Sequence, residues 1–511
     1  MKQLMTSSLA FSALFAVYAA NLDFRRPHVI PEPTELTYDA AVPVRVAAGL
    51  PVVVTCPDES AAAWVGRHIR DWFGVDVAVS TTKEGPIGVA GGEGYTLSAK
   101  PGRIEIGANT LQGVKYAVHT LRQAAERESV GRTLKGYWLP ALEIKDAPAL
   151  AFRGVHFCWF TESSPALIEH QIRLAAYYKF NYAVVESWGV FKSEKHPYLA
   201  VRDAPLTVKE AHRLAALAKD LGLTLIPQIN VFGHASGARA RGGKHVTLDV
   251  RPEYQPLFEP AGGWNWCLSN PEARAVVREV VAEMHEAFDN PPFFHIGCDE
   301  ADEPSCPTCR AIKPYASLVE THIREVHDLL RARGARAMMW HDMLLEKGDA
   351  RWKPFYANGT KDEAAMLERL PRDIVICDWY YGSDSAGNSK DTGRSITDRY
   401  PTLEHFKGLG FDTLTCPWRE RKGIVAQSRY AREKGLLGVL ETVWHHFRGR
   451  EFELMMSTTA DAVWGNSAPA FKGRGTPFMT HWRQVGWDMG ISDYLEGGYY
   501  DRTVTRDILD N

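Results

Sequence analysis

The stretch Phe293-Phe294-His295-Ile296-Gly297-Cys298-Asp299-Glu300 determines how the rest of the chain is interpreted. It follows the turn signal Asn290-Pro291-Pro292, and its apolar run ends in two adjacent carboxylates, which predicts a strand that delivers acids to its carboxyl end. Neighbouring side chains of a regular strand point to opposite faces. Asp299 and Glu300 can therefore share one site only if the backbone turns there. The alternative is that the pair begins an ordinary solvated loop.

Around this stretch the chain repeats a strand, a loop and a helix. Candidate strands are 152–158, 180–187, 223–231, 293–298, 335–341, 373–380, 411–416 and 436–443. Helical segments between most of them are 165–178, 207–221, 271–288, 315–333 and 424–434. This repetition over 151–447 predicts a (β/α)8 TIM barrel, whose catalytic residues lie at the carboxyl ends of the strands. The alternative is an open doubly wound sheet, but no Gly-rich phosphate loop follows an early strand.

Three further segments flank the predicted barrel. Residues 1–20 are typical of a secretory signal peptide, since Lys2 precedes an apolar stretch that ends near the small residues Ala19 and Ala20. Residues 21–150 favour a small α/β domain, and 448–511 favour helices and loops packed on the barrel. We therefore expect an exported protein, periplasmic or secreted, with no integral membrane segment after signal cleavage. An uncleaved N-terminal anchor is the alternative.

The composition narrows the class of protein. The chain has 511 residues, 45% of them hydrophobic, and a net charge of -3, which favours a soluble globular protein and argues against nucleic acid as the main partner. Its 8 cysteines are too sparse for a disulfide scaffold. Cys306-Pro307-Thr308-Cys309 lacks a second pair at zinc spacing, which favours a local disulfide or free thiols over a structural metal.

The pattern His-x-Gly-x-Asp-Glu after an apolar strand resembles the signature of glycoside hydrolase family 20, the β-N-acetylhexosaminidases. The resemblance covers most of 28–447. It implies removal of terminal β-linked N-acetylglucosamine or N-acetylgalactosamine from a glycan or glycoconjugate, with no cofactor and no metal. It also implies that Glu300 is the general acid and later the base. Asp299 would orient the 2-acetamido group of the sugar, whose carbonyl oxygen attacks C1 in place of an enzyme nucleophile.

The same resemblance assigns other residues to the sugar pocket. Arg153, after Phe152, matches an arginine that binds sugar hydroxyls in the family. Tryptophans at the ends of three predicted strands match the walls of the acetamido pocket, which needs an apolar lining. Those tryptophans are Trp340, Trp379 and Trp444. His295 precedes the acid pair within the motif, and His234 is a candidate partner of the acids.

Several positions depart from the family pattern. The second strand reads Ala183-Val184-Val185-Glu186-Ser187-Trp188 where His-x-His and an acidic pair are usual, and the third strand carries the amides Gln228 and Asn230 where acids are usual. At the seventh strand, Cys416-Pro417-Trp418-Arg419 resembles the segment whose tyrosine donates to the acetamido oxygen in the family, but Arg419 stands in place of that tyrosine, so Tyr380 or Tyr381 becomes the candidate hydroxyl. After Trp444 the chain has His445-His446 in place of a glutamate. Arg419 and His446 suggest room for an anionic substituent such as sulfate.

Two other functions remain compatible with the sequence. A metal-dependent barrel hydrolase would use His234, His295 and Asp299 as ligands, although no His-x-His pairing supports it. A non-catalytic glycan-binding descendant of the family would explain the altered second, seventh and eighth strands.

Overall fold

The computed structural model describes residues 26–82, 88–89, 91–130, 133–161, 163–201, 205–235, 247–260, 262–353, 355–381, 400–444, 450–465, 481, 484–486 and 488–489. The predicted signal peptide and His446 lie outside these residues. The described chain forms two compact units, one comprising 26–148 with the described positions from 481 onward, the other comprising 149–465. Among the described residues, no helix combines the length and the apolar character needed to cross a membrane.

The first unit is a small α/β domain, as predicted. Its strands are β1 (Glu35–Val46), β2 (Pro51–Thr55), β3 (Ala78–Thr82), β4 (Tyr95–Lys100), β5 (Arg103–Ala108), β6 (Glu126–Val130) and β7 (Thr133–Asp146), and its helices are α1 (Ala61–Phe73) and α2 (Leu111–Ala124). The strands pair in the order β1-β7-β4-β5-β2-β3, and β6 pairs with β7. The described residues from 481 onward belong to this unit, whereas the sequence predicted that all of 448–511 packs on the barrel.

The second unit contains a closed barrel of parallel strands. The barrel strands are β8 (Phe152–Trp159), β9 (Tyr182–Ser187), β12 (Thr224–Gln228), β13 (Phe293–His295), β14 (Arg336–Trp340), β15 (Val375–Trp379), β16 (Asp412–Cys416) and β17 (Gly438–Glu441). Two short strands, β10 (Phe191–Lys192) and β11 (Leu206–Thr207), form a separate pair. Each predicted strand overlaps an observed one, and the (β/α)8 TIM barrel is confirmed.

Helices surround the barrel and bury the outer faces of its strands. They are α3 (Pro165–Tyr177), α4 (Val208–Leu221), α5 (Thr247–Val250), α6 (Pro271–Ala287), α7 (Pro307–Ala311), α8 (Ala316–Ala332), α9 (Lys361–Met366), α10 (Pro401–Gly408), α11 (Arg421–Lys434) and α12 (Arg450–Trp464). Short 3-10 helices occupy Pro197–Leu199, Pro252–Leu257, Asp342–Leu344 and Ala350–Trp352. Local sequence fixes several helix starts: Ser164 caps α3, and Asn270 caps α6, each with a proline next.

The barrel interior is filled with side chains and is closed at its amino end. Phe152 stacks on Tyr182 with ring centroids 4.5 Å apart, and Phe293 meets both rings edge-on. All eight residues of β8 are buried, as expected for a parallel strand covered on both faces. The acid pair lies at the opposite, carboxyl end of the barrel.

Candidate active site

The acid pair lies on a sharp turn directly after β13. This strand has 3 residues, because positive φ angles follow at Gly297 (68°), Cys298 (76°) and Glu300 (46°). The turn gives the two carboxylates different surroundings. Asp299 is buried, with 6% of its surface exposed, whereas the side chain of Glu300 is 48% exposed. The backbone turn that the two adjacent acids require is present. It buries Asp299 and leaves Glu300 facing solvent.

Two glycines allow the chain after β12 to press against this turn. A Cβ on Gly297 would lie 1.8 Å from Oδ1 of Asn230, and a Cβ on Gly233 would lie 2.3 Å from the carbonyl oxygen of Asp299. Any side chain at these positions would force the two loops apart. The glycines thus fix the approach of the loop that carries His234.

His234 contacts both acids. Its Nε2 lies 3.4 Å from Oδ2 of Asp299 and 3.3 Å from Oε2 of Glu300. The backbone of His234 is itself left-handed, with φ 56°. Its ring centroid lies 4.2 Å from that of Trp264, whose indole nitrogen donates to the carbonyl oxygen of Glu300 at 2.7 Å. The predicted histidine partner is therefore adjacent to the acids, and Trp264 is a support that the sequence reasoning missed.

Asp342 is a second residue that the sequence reasoning missed. Its Oδ2 accepts from the Glu300 backbone N–H at 2.9 Å and from the Asn358 amide at 2.8 Å. Its Oδ1 accepts from the indole of Trp379 at 3.3 Å. Burial, followed by the neighbouring charge of Asp299, raises the pKa of Asp342 to about 6. Asp342 thus connects the acid turn to Trp379. In the sequence, the feature that could have indicated Asp342 is an acid two residues after Trp340, which ends its strand.

Aromatic side chains from four strands line the carboxyl end of the barrel. Trp340 and Trp379 end β14 and β15, and Trp444 follows β17. Trp340 lies 5.1 Å from Trp444, and Tyr381 lies 5.4 Å from Trp379 and 5.0 Å from Trp418, measured between ring centroids. The cluster is apolar on its faces and polar at its indole and phenol edges, a composition that suits a sugar carrying a methyl group.

The structure separates the two candidate tyrosines. Tyr380 packs on Phe355 and Tyr400 in a cluster that excludes the strand-ending tryptophans. Tyr381 belongs to the interior cluster with Trp340 and Trp379, and burial raises its pKa well above the ordinary value. Of these two tyrosines, Tyr381 is the one whose ring lies among the pocket tryptophans.

His295 lies beneath the aromatic wall. Its Nδ1 accepts from the N–H of Gly297 at 3.1 Å, and its ring lies 4.3 Å from Trp340. Burial, then the nearby His156, holds the pKa of His295 well below its ordinary value. Because Nδ1 accepts from Gly297, a neutral His295 carries its proton on Nε2, and the ring supports the acid turn through Gly297.

The altered positions of the second and third strands contact each other. Glu186 accepts from the Asn230 amide at 2.7 Å through Oε1, and its Oε2 lies 2.9 Å from Nε2 of His156. Gln228 donates to Oδ1 of Asn230 at 3.3 Å. These buried side chains form one hydrogen-bonded layer below the pocket, so the positions that depart from the family pattern contact one another.

The predicted role of Arg153 requires correction. Arg153 is the second residue of β8 and is fully buried at the amino end of the barrel. Its Nη1 donates to the carbonyl oxygen of Leu150 at 2.8 Å, and the guanidinium lies 5.2 Å from the ring centroid of Trp464. The acid pair occupies the opposite end, so Arg153 stabilises the barrel base. Arg419, by contrast, lies 5.0 Å over the ring of Trp418 at the pocket.

Groups of potential metal ligands occur elsewhere. Among the described residues, two sets bring their ligand atoms within 4.8 Å of one another: Glu259 with Cys267, Cys306 and Cys309, and His156 with Cys158 and Glu186. The alternative ligand set predicted from the sequence, which is His234, His295 and Asp299, does not form such a group in this part of the chain.

Two family models match adjoining parts of this chain, and both describe the same family. The model described as "Glycosyl hydrolase family 20, domain 2" matches residues 26–147, and "Glycosyl hydrolase family 20, catalytic domain" matches 142–444. A beta-hexosaminidase of Porphyromonas gingivalis is 26% identical over 340 residues, which are 60% of this chain and 41% of the relative. A beta-N-acetylhexosaminidase of Cellulomonas fimi is 29% identical over 309 residues, 53% of this chain and 59% of that protein. The chain thus spans about half the length of these curated relatives.

Solved structures share the fold at low identity. A family 20 exo beta-N-acetylglucosaminidase of Vibrio harveyi, in complex with N-acetylglucosamine, superposes with a TM-score of 0.64 at 17% identity, covering 93% of this chain and 79% of that chain. A chitobiase of Flavobacterium johnsoniae gives 0.65 at 17% identity, with coverage of 92% and 73%.

Proposed function

The chain belongs to glycosyl hydrolase family 20, and on that premise we propose that it removes terminal β-linked N-acetylglucosamine or N-acetylgalactosamine from glycans by exo-acting, retaining, substrate-assisted hydrolysis. The observation that carries the proposal is the turn at Asp299 and Glu300, which places a buried carboxylate beside an exposed one. Adjacent residues are poorly suited to the mechanism in which two carboxylates flank the scissile bond at about 5 Å, and the substrate-assisted families are the known exception.

Glu300 is the proposed proton donor. In the first step its carboxyl protonates the glycosidic oxygen, the bond from C1 to that oxygen breaks, and the acetamido oxygen bonds to C1 to give an oxazolinium ion. In the second step a water attacks C1 and passes a proton to Glu300, which restores the acid, while the bond from C1 to the acetamido oxygen breaks and regenerates the acetamido group. The exposed position of Glu300 suits contact with a leaving group that extends toward solvent. The hydrogen bond from its N–H to Asp342 holds the backbone during both steps.

Asp299 is the proposed partner of the acetamido N–H. Its Oδ1 is buried, and no hydrogen-bond donor within the described residues reaches it. A buried carboxylate oxygen without a donor is costly, so a substrate N–H that supplies the missing bond would gain affinity there. A negative charge at Asp299 would then polarise the amide and increase the nucleophilicity of its carbonyl oxygen.

The aromatic wall is the proposed acetamido pocket. Trp340, Trp379 and Trp444 would enclose the methyl group, and the hydroxyl of Tyr381 would donate to the acetamido oxygen in place of the family tyrosine replaced near Arg419. Arg419, beside Trp418, would face substituents on the outer part of the sugar. Comparing the turnover of sulfated and unsulfated sugars tests this contact.

The test is turnover of aryl β-N-acetylglucosaminide, aryl β-N-acetylgalactosaminide and the aryl β-glucoside that lacks the acetamido group. We expect cleavage of acetamido substrates alone, and inhibition by a thiazoline that mimics the oxazolinium ion. Glu300→Gln should lose most activity on poor leaving groups and less on activated aryl groups, which need little proton donation. Glu303→Gln, an exposed acid in the same loop, is the matched control and should retain activity.

Three outcomes would contradict the proposal. Equal cleavage of the glucoside would exclude substrate assistance, and equal losses on good and poor leaving groups would exclude Glu300 as the acid. Binding of N-acetylhexosaminides without any turnover would instead indicate a glycan-binding protein built on this fold.

A further inference from the structure

Four potential metal ligands converge in two loops beside the acid turn. Glu259 and Cys267 lie between the 3-10 helix Pro252–Leu257 and α6, while Cys306 directly precedes α7 and Cys309 lies within it. One ligand atom from each residue can be chosen so that all of them lie within 4.8 Å of one another. Cys309 and Glu259 are buried, at 0% and 4% exposure. We refer to these four residues as the thiol cluster.

The sulfur geometry of the thiol cluster suits a shared ion better than a covalent bond. Sγ of Cys267 lies 3.8 Å from Sγ of Cys309. Two thiolates on a tetrahedral zinc ion, each bonded at about 2.3 Å, lie about 3.8 Å apart, whereas disulfide sulfurs lie about 2 Å apart. Ser269 Oγ accepts from Sγ of Cys309 at 3.0 Å and lies 3.9 Å from Sγ of Cys306, so one hydroxyl borders both sulfurs.

Glu259 supplies an unused oxygen at the same place. Its Oε2 accepts from the N–H groups of Ser305 and Cys306 at 2.8 and 2.6 Å, which fixes the carboxylate. Its Oε1 is buried and has no nitrogen or hydroxyl donor among the described residues, and the Cys309 thiol interacts with the same carboxylate. A buried carboxylate oxygen requires a cation or a donor, because leaving it unsatisfied costs about 1–3 kcal/mol or more.

We propose that Glu259, Cys267, Cys306 and Cys309 bind one zinc ion in a closed, tetrahedral, structural site. Three sulfurs and one carboxylate oxygen fill all four positions, so no position remains for substrate or water, which distinguishes such a site from a catalytic one. Binding would release the thiol protons to solvent as the thiolates form.

The sequence favoured a disulfide or free thiols because the Cys306-Cys309 pair has no second pair nearby. The fold supplies the missing ligands from the loop that precedes α6. That loop also carries Trp264, which donates to the carbonyl of Glu300, and Asn265, whose amide bonds the backbone of Asp302 at 2.6 and 3.1 Å. A zinc ion would therefore fasten together the two loops that hold the backbone of Glu300.

The test is the metal content of the full chain, purified without chelator and measured by elemental mass spectrometry. We expect about one zinc ion per chain, as a four-ligand structural site requires. Cys306→Ser and Cys309→Ser should lose it, while Cys56→Ser, a buried cysteine of the first unit, should keep it. Replacement by Co²⁺ should give the visible and charge-transfer absorption of thiolate ligation, a readout that does not depend on activity.

Thiol counting in the denatured chain with chelator present provides the opposing outcomes. A chain without zinc in which all 8 cysteines react has ordinary free thiols, and a chain in which two fewer react contains a disulfide; either result overturns the proposal. If the serine variants do not fold, the wild-type zinc content and its thermal midpoint with and without chelator decide the question. Both measurements are made without substrate, so their failure is distinct from failure of the proposed hydrolase activity.

Discussion

Replacement of Glu441 by glutamine should reduce the pH dependence of stability. Glu441 ends β17 and is completely buried. Its carboxyl faces the hydroxyl of Thr459, which favours the ionised form less than burial disfavours it. Burial disfavours the ionised form and raises the pKa of Glu441 from 4.5 to about 8. The unfolded chain ionises this group near its ordinary pKa, so folding is coupled to uptake of a proton at neutral pH.

The sign and size of the effect follow from this difference. The folded pKa of Glu441 lies above its unfolded pKa. The free energy of unfolding is therefore undiminished by this group below pH 4.5, and it decreases as the pH rises from there through about 8. At about 1.4 kcal/mol per pKa unit, the full loss is about 5 kcal/mol. Glutamine does not titrate, so the difference in unfolding free energy between Glu441→Gln and wild type should shift by roughly 3 to 4 kcal/mol in favour of the variant between pH 5 and 8.

Chemical denaturation of both proteins at several pH values between 5 and 8, followed by circular dichroism, measures this shift. Glu253→Gln, an exposed glutamate, serves as the control and should follow the wild type across the range. Parallel stability curves for Glu441→Gln and wild type would refute the reasoning, because they would mean that the buried carboxyl is ionised at low cost.

Three further substitutions test the site. Asp342→Asn leaves one side-chain oxygen for three donors. At about 1–3 kcal/mol per unsatisfied group, kcat should fall roughly tenfold or more. Circular dichroism should show that the fold is retained. Tyr381→Phe should lower kcat/KM for acetamido substrates about tenfold, the value of one hydrogen bond, whereas Tyr380→Phe should not. Gly297→Ala should destabilise the chain by more than about 2 kcal/mol in urea titration, because its Cβ would overlap Asn230; Gly348→Ala, with φ 89° but open space, should cost only about 1 kcal/mol.

The barrel could be predicted because its signals are local. Each strand is a short apolar run with turn or loop residues on both sides. Each helix repeats apolar residues at a spacing of three and four positions, as Val319, Ile323, Val326 and Leu330 do in α8. The turn at Asp299 was required by the alternation of a strand. The error at Arg153 came from the resemblance alone, since the second residue of a strand already lies at the amino end of a barrel.

The rest of the site depends on contacts between distant parts of the chain. Trp264 reaches Glu300 across 36 residues, and Asn230 reaches Glu186 across 44. No local pattern reports such pairs. Tyr380 and Tyr381 show a related difficulty, because alternation places one inside and one outside, but both are buried, so hydrophobicity does not indicate which one faces the pocket.

The bond between Glu186 and Asn230 has an evolutionary consequence. An acid at position 230 while Glu186 remains would oppose two carboxylates at the 2.7 Å now spanned by an amide and a carboxylate, in a buried layer where like charges repel strongly. Removing Glu186 alone would leave the Asn230 amide and His156 without their acceptor. Either single change should destabilise this buried layer, so we expect the two positions to be exchanged together or to be kept together.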